Sequence, residues 1–303
     1  MKNSKLRIPF LVLLNVLMFS IATSQIKVVT TLTDLKSITD FIGGDRVDVF
    51  AIASGYQNPH FVDPKPSYIL KLSRADMFVT VGLDLEIGWV PPLLNSARNA
   101  RIQKGGEGYT DASLNIPLLQ VPSSVNRGEG DIHIYGNPHY WLDPINGKII
   151  AQNIFNTLVR IDPEHRELYE ANLRWFVETI DTKVKEWTEK VAPFRNTKVI
   201  AYHNEWPYFE QRFGLHIMDF LEPKPGIPPT PSQLTKVIGE MKRENIKIII
   251  NSPYFTTEDA SLVARNAGGQ VVTLATSVGA NQNIKNYFDL FDYNVAQIVS
   301  ALQ

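Results

Sequence analysis

From Ile26 onward, short runs of β-branched and apolar residues alternate with stretches whose apolar positions recur at helical spacing, the pattern of βα units around a parallel sheet. A first series predicts strands near 26–31, 47–53, 77–82 and 101–104, with helices near 32–42, 66–74 and 86–98. The stretch 105–138 breaks the alternation: six glycines, with Pro117, Pro122 and Pro138, make it loop-rich, a long excursion of the kind that carries function. A helix near 145–160 follows. Asp162-Pro163-Glu164 then carries helix-start signals, with Asp as cap, Pro at the first position and acid in the first turn. Apolar residues at Tyr169, Leu173, Phe176, Ile180, Val184, Trp187 and Val191 form one stripe that ends before Pro193. About 28 residues at about 1.5 Å each make this helix roughly 42 Å long, enough to run across two lobes. A coiled-coil seam is the other reading of such a stripe, but a single helix with Phe176 and Trp187 in it suits the interior. The βα series restarts with strands near 198–203, 215–221, 246–251 and 270–275. Helices open after Ser232 and at Thr256-Thr257-Glu258-Asp259, and a last one spans about 284–302. The expected fold is therefore α/β, with two lobes, each a four-stranded mostly parallel sheet with flanking helices, at 25–161 and 193–303. The helix at 162–192 joins them.

The N-terminus adds a compartment. Lys2, Lys5 and Arg7 precede an apolar run from Ile8 to Ala22, and Ala22-Thr23-Ser24 offers a small-x-small cleavage pattern, so residues 1–24 read as a secretory signal peptide. About 15 apolar residues fall short of the roughly 20 of a spanning helix. A soluble periplasmic protein is expected. Over the whole chain of 303 residues, 44% are apolar and 20% charged, which excludes a mainly disordered protein. Thirty Lys+Arg against 31 Asp+Glu leave no basic excess for a phosphate backbone, so nucleic acid is not an expected partner. The chain has no cysteine. That excludes disulfides, thiolate metal sites and a lipid-modified cysteine, so any metal chemistry must use imidazole and oxygen.

Three of the six histidines fall in loops just beyond predicted strands or at the end of the loop-rich excursion: His60 in QNPHFVDP, His139 in GNPHYWLDP and His203 in AYHNEWPYF. Meeting in the cleft between the lobes, they would form a site for a divalent transition metal, since an all-imidazole set excludes calcium and magnesium. Acidification through the ordinary imidazole pKa of about 6.5 should then release the ion. Three donors with an open position also suit a secreted zinc-dependent hydrolase with Glu205 as general base, although no H-E-x-x-H pair is present. An interaction module with incidental histidines is a third reading. His165 and His216 are expected to be structural. Asp63 and Asp143 either orient imidazoles or form the turns before Pro64 and Pro144.

Five motifs in order, N-P-H-F-V-D-P-K-P-S (58–67), A-D-M-F-V-T-V-G-L-D-L-E (75–86), G-N-P-H-Y-W-L-D-P (136–144), A-Y-H-N-E-W-P-Y-F (201–209) and E-P-K-P-G-I-P-P-T-P-S (222–232), give the chain a resemblance. From Ile26 to Gln303 it resembles the zinc/manganese solute-binding proteins of ABC importers. The resemblance implies a non-enzymatic, monomeric periplasmic carrier with His60, His139 and His203 as metal ligands. It also implies Zn2+ as cargo ahead of Mn2+ or another divalent transition metal, and an inner-membrane ABC permease as partner. The family's fourth ligand is an acid after the last strand, where this chain reads Leu274-Ala275-Thr276. Water, Glu205, Glu222 or the Asp131/His133 loop is left to complete the site. Glu205 is equally suited to cap a helix beginning at Trp206, and Glu222 to orient the proline loop after it. The segment 128–133 stands where zinc carriers of the family bear a histidine-rich loop. It is either a small metal-acquisition loop or a solvated glycine turn.

Overall fold

The computed structural model describes residues 25–122, 133–224 and 226–303; the proposed signal peptide at 1–24 lies outside them. Among the described residues, the first lobe holds strands β1 (Ile26–Thr30), β2 (Val47–Ala51), β3 (Met77–Thr80) and β4 (Tyr109–Asp111), with helices α1 (Thr33–Gly43), α2 (Pro66–Ser73), α3 (Val90–Ala97) and α4 (Pro144–Ile161). The long α5 (Arg166–Val191) leads to the second lobe. There, β5 (Lys198–Ala201), α6 (Pro207–Phe213), β6 (His216–Phe220), α7 (Pro231–Glu244), β7 (Ile248–Asn251), α8 (Glu258–Ala267), β8 (Gln270–Thr273) and α9 (Tyr287–Leu302) complete the chain.

Both sheets have four strands and one topology, β2-β1-β3-β4 and β6-β5-β7-β8, and every pairing is parallel. Parallel strands need crossovers, and helices on the sheet faces leave the central strands fully buried, as Met77–Thr80 and Ile248–Asn251 are. In each lobe the loops beyond the carboxyl ends of the strands meet those of the other lobe, which is where the site forms.

The strand expected at 101–104 is instead a turn of 3-10 helix at Ala100–Ile102, and the edge strand lies at Tyr109–Asp111. Ile102 is the one apolar residue of its run and is buried, while Arg101 turns outward to Asp76 and Glu107. Gly108 passes so close to the Asp76 carbonyl that a Cβ there would lie 2.0 Å from it. Only after that glycine can Tyr109 pair with Phe78.

α5 starts at Arg166, because Pro163–His165 forms a 3-10 turn. Asp162 caps nothing with its side chain; it accepts from Tyr169 Oη (2.5 Å) and sits on His165 Nδ1 (2.9 Å). The stripe otherwise behaves as its spacing predicts, with Tyr169, Leu173, Phe176, Ile180, Trp187 and Val191 buried. They join one apolar core that takes in both lobes, since it also holds Val28 and Phe78 of the first sheet, Val199 and Ile250 of the second, and Phe291 of α9. A smaller cluster fills the far face of the second sheet under α7 and α8. No helix among the described residues is long and apolar enough to cross a membrane.

Candidate metal site

Two of the three candidate histidines are built by the same tripeptide. In Asn58-Pro59-His60 the asparagine Oδ1 accepts from the backbone N–H of His60 at 3.0 Å and pairs with its ring Nδ1 at 2.9 Å. In Asn137-Pro138-His139 the same two contacts are each 3.0 Å. An amide oxygen has two lone pairs, and the proline between fixes φ and contributes no competing N–H, so the motif clamps main chain and ring together. His203, just beyond β5, is held differently: its Nδ1 donates to Glu222 Oε2 at 2.6 Å, with both side chains buried. All three rings thus spend Nδ1 on an outer partner, which leaves Nε2 as the donor toward the cleft.

The rings of His60, His139 and His203 lie 5.2–5.6 Å apart between centroids, and one ring nitrogen from each lies within 4.8 Å of the others. His139 Nε2 is fully buried without a hydrogen-bond partner, an orphaned lone pair of the kind that a bound cation satisfies. Burial, and then the neighbouring histidines, holds the pKa of His60 and of His139 well below the ordinary imidazole value. Both rings are therefore neutral at pH 7, the form that binds metal. Beside them is a cavity of about 230 Å³ lined by Asn58, His60, Phe61, His203, Glu222 and Phe255 among others.

The other sequence candidates separate clearly. Glu222 turns to His203, and Glu205 is buried with its two oxygens accepting the hydroxyls of Ser252 and Tyr254, so it caps no helix. Burial pushes the Glu205 carboxyl up. Ala275 offers no donor, and its backbone N–H and C=O are both bonded to the Asn294 amide at 2.8 Å. Asp143 caps α4 through Ile145 N–H and takes Arg212 in a bidentate pair at 2.8 Å, touching no imidazole, while Asp63 is exposed. His165 serves Asp162, and His216 is exposed at the start of β6, 3.7 Å from Glu210. Residues 123–132, with Asp131, lie outside the described residues. His133 is described: its Nε2 is 3.1 Å from His60 Nε2. Sequence reasoning passed over Asn58 and Asn137. Their signal was the N-P-H tripeptide occurring twice.

The profile of the family described as ZnuA, zinc-uptake complex component A, periplasmic, matches residues 28–301. Among curated proteins, the chain is 25% identical over 287 residues to the manganese ABC transporter substrate-binding lipoprotein PsaA of Streptococcus anginosus, covering 92% of this chain and 89% of that one. It is also 25% identical over 288 residues to the metal ABC transporter substrate-binding lipoprotein SsaB of Streptococcus sanguinis, covering 92% and 90%. In fold it is similar to a crystal structure of ZnuA, with a TM-score of 0.78 and 24% identity over 92% of this chain and all of that one. The Mn-bound periplasmic metal-binding protein from Candidatus Liberibacter asiaticus gives 0.75 and 21% over the same shares.

Proposed function

Because the chain belongs to the periplasmic zinc-uptake component A family, solute-binding proteins of ABC importers and not enzymes, we propose that it captures Zn2+ between its lobes. It then delivers the ion to an inner-membrane permease. His60, His139 and His203 are the ligands, each with Nε2 on the ion. The observation that carries this reading is the convergence of three imidazoles from three separate loops, each with Nδ1 already committed and His139 Nε2 buried and unpartnered. Imidazole suits zinc, copper and nickel, whereas manganese stands lowest in the divalent affinity order and favours carboxylate and water. Neither nearby carboxylate among the described residues is free to supply that oxygen, which supports zinc over the manganese named for PsaA of Streptococcus anginosus. The protein works as a monomer, its leader removed after Ser24, with the lobes at 25–161 and 193–303.

The test is competition against a chromophoric chelator with purified protein. One zinc per chain should bind much more tightly than manganese. His60→Ala, His139→Ala and His203→Ala should each lose affinity by orders of magnitude, while His216→Ala binds as wild type. Equal affinity for manganese would overturn the cargo, and an unaffected triple variant would overturn the ligand set.

A further inference from the structure

The three-histidine set leaves a divalent ion one donor short of a tetrahedron. The described residues around it narrow the choice. Glu222 and Glu205 are committed to His203 and to two hydroxyls, and Ala275 has nothing to offer. His133 is different. Its Nε2 approaches His60 Nε2 to 3.1 Å, and its ring stands 5.2 Å from that of His60 and 6.2 Å from that of His139. A tetrahedron with metal–nitrogen bonds of about 2.0–2.1 Å separates neighbouring donors by about 3.3 Å. The two Nε2 atoms are thus already spaced as one edge of that polyhedron; among the described residues only His60, His139 and His203 have donors all within 4.8 Å of one another, so the His133 ring must swing inward to form the remaining edges. The His60 Nδ1 proton is spent on Asn58, so the His60 Nε2 lone pair faces His133, which donates to it while no ion is present. An ion between them takes both lone pairs, and the His133 proton moves to its Nδ1 through solvent.

Resting on the reading under Proposed function, we infer that His133 is the fourth ligand, so that the cargo is held by four imidazoles, three from the first lobe and one from the second. The acid missing after β8 is replaced from across the cleft. Such a set leaves the ion's charge unneutralised and disfavours manganese further.

Chelator competition on wild type, His133→Ala and His60→Ala tests this. His133→Ala should keep one zinc per chain but bind it about 100-fold more weakly, since even outer partners of ligands are worth 10–100-fold. An unchanged His133→Ala beside a crippled His60→Ala would overturn the fourth ligand and leave the carrier reading standing; both unchanged would overturn the two together. Should His133→Ala fold poorly, the wild type decides. In 15N-histidine-labelled protein titrated with zinc, four Nε2 resonances moving to metal-bound positions support the assignment, and three overturn it.

Discussion

A ring nitrogen binds metal well only if the other nitrogen holds the ring in the right tautomer and direction, and here two amides and one carboxylate do that work. Asn58→Ala and Asn137→Ala should each weaken zinc binding about 10–100-fold with the fold intact, as measured by chelator competition beside thermal melts. Glu222→Gln should cost less than Glu222→Ala, because the amide oxygen can still accept from Nδ1. The pH response differs from that of a free imidazole. Protons compete only when they can occupy the empty site, and burial keeps His60 and His139 well below their ordinary value and His133 at about 4. Proton competition at these three rings should therefore set in only well below pH 6.5, leaving at most the shallow one-proton dependence that His203 beside Glu222 can supply. A steep loss centred on 6.5 in titrations at stepped pH would mean that the rings are more hydrated than the structure has them. The three converging histidines were legible in the sequence because each sits in a loop at the end of an element. The outer partner of His203 was not: Glu222 lies 19 residues from it, and only folding brings β6 alongside β5.

Among elements, the contact of α4 with α9 is set by one missing side chain. A Cβ on Gly147 would lie 2.5 Å from Tyr287 Cε1 and 2.9 Å from its Oη, and that hydroxyl donates to the Trp141 carbonyl at 2.5 Å. Gly147→Ala gains about 1 kcal/mol of helix propensity but forces overpacking worth about 1–3 kcal/mol against a ring that cannot yield, so the variant should be less stable. Gly239, within α7, has nothing within 4 Å of its added Cβ, and Gly239→Ala should be more stable by about 0.5–1 kcal/mol. Denaturant melts of the two variants should move in opposite directions. The same balance of local and tertiary effects decided which elements could be read from sequence. Long periodic segments such as α5 were legible because a stripe of apolar residues states its own face. The edge strand at Tyr109–Asp111 was hidden, because its three residues follow glycines whose purpose, a close pass by Asp76, appears only in three dimensions.

At the scale of the molecule, the chain crosses back from the second lobe to the first after β8, and short bonds tie that return segment down. Thr33 Oγ1 donates to the Val278 carbonyl at 2.6 Å, Val278 N–H donates to Asp34 at 3.0 Å, and Trp141 Nε1 donates to the Thr276 carbonyl at 2.8 Å. On the other side Arg212 holds Asp143, and the Tyr208 hydroxyl bridges Leu119 N–H and the Asn137 carbonyl. With α5 and α9 in a core common to both lobes, the described residues leave the cleft no free hinge about which to swing. Small-angle scattering curves of the metal-free and zinc-loaded protein should therefore superimpose; a clear contraction on loading would show that these ties yield. If they hold, a permease meeting this carrier has almost no outline to read. Full and empty forms then differ at the mouth of the cleft in electrostatic potential, so recognition of cargo becomes a question of sign and salt, and discrimination between the two forms should weaken as ionic strength rises.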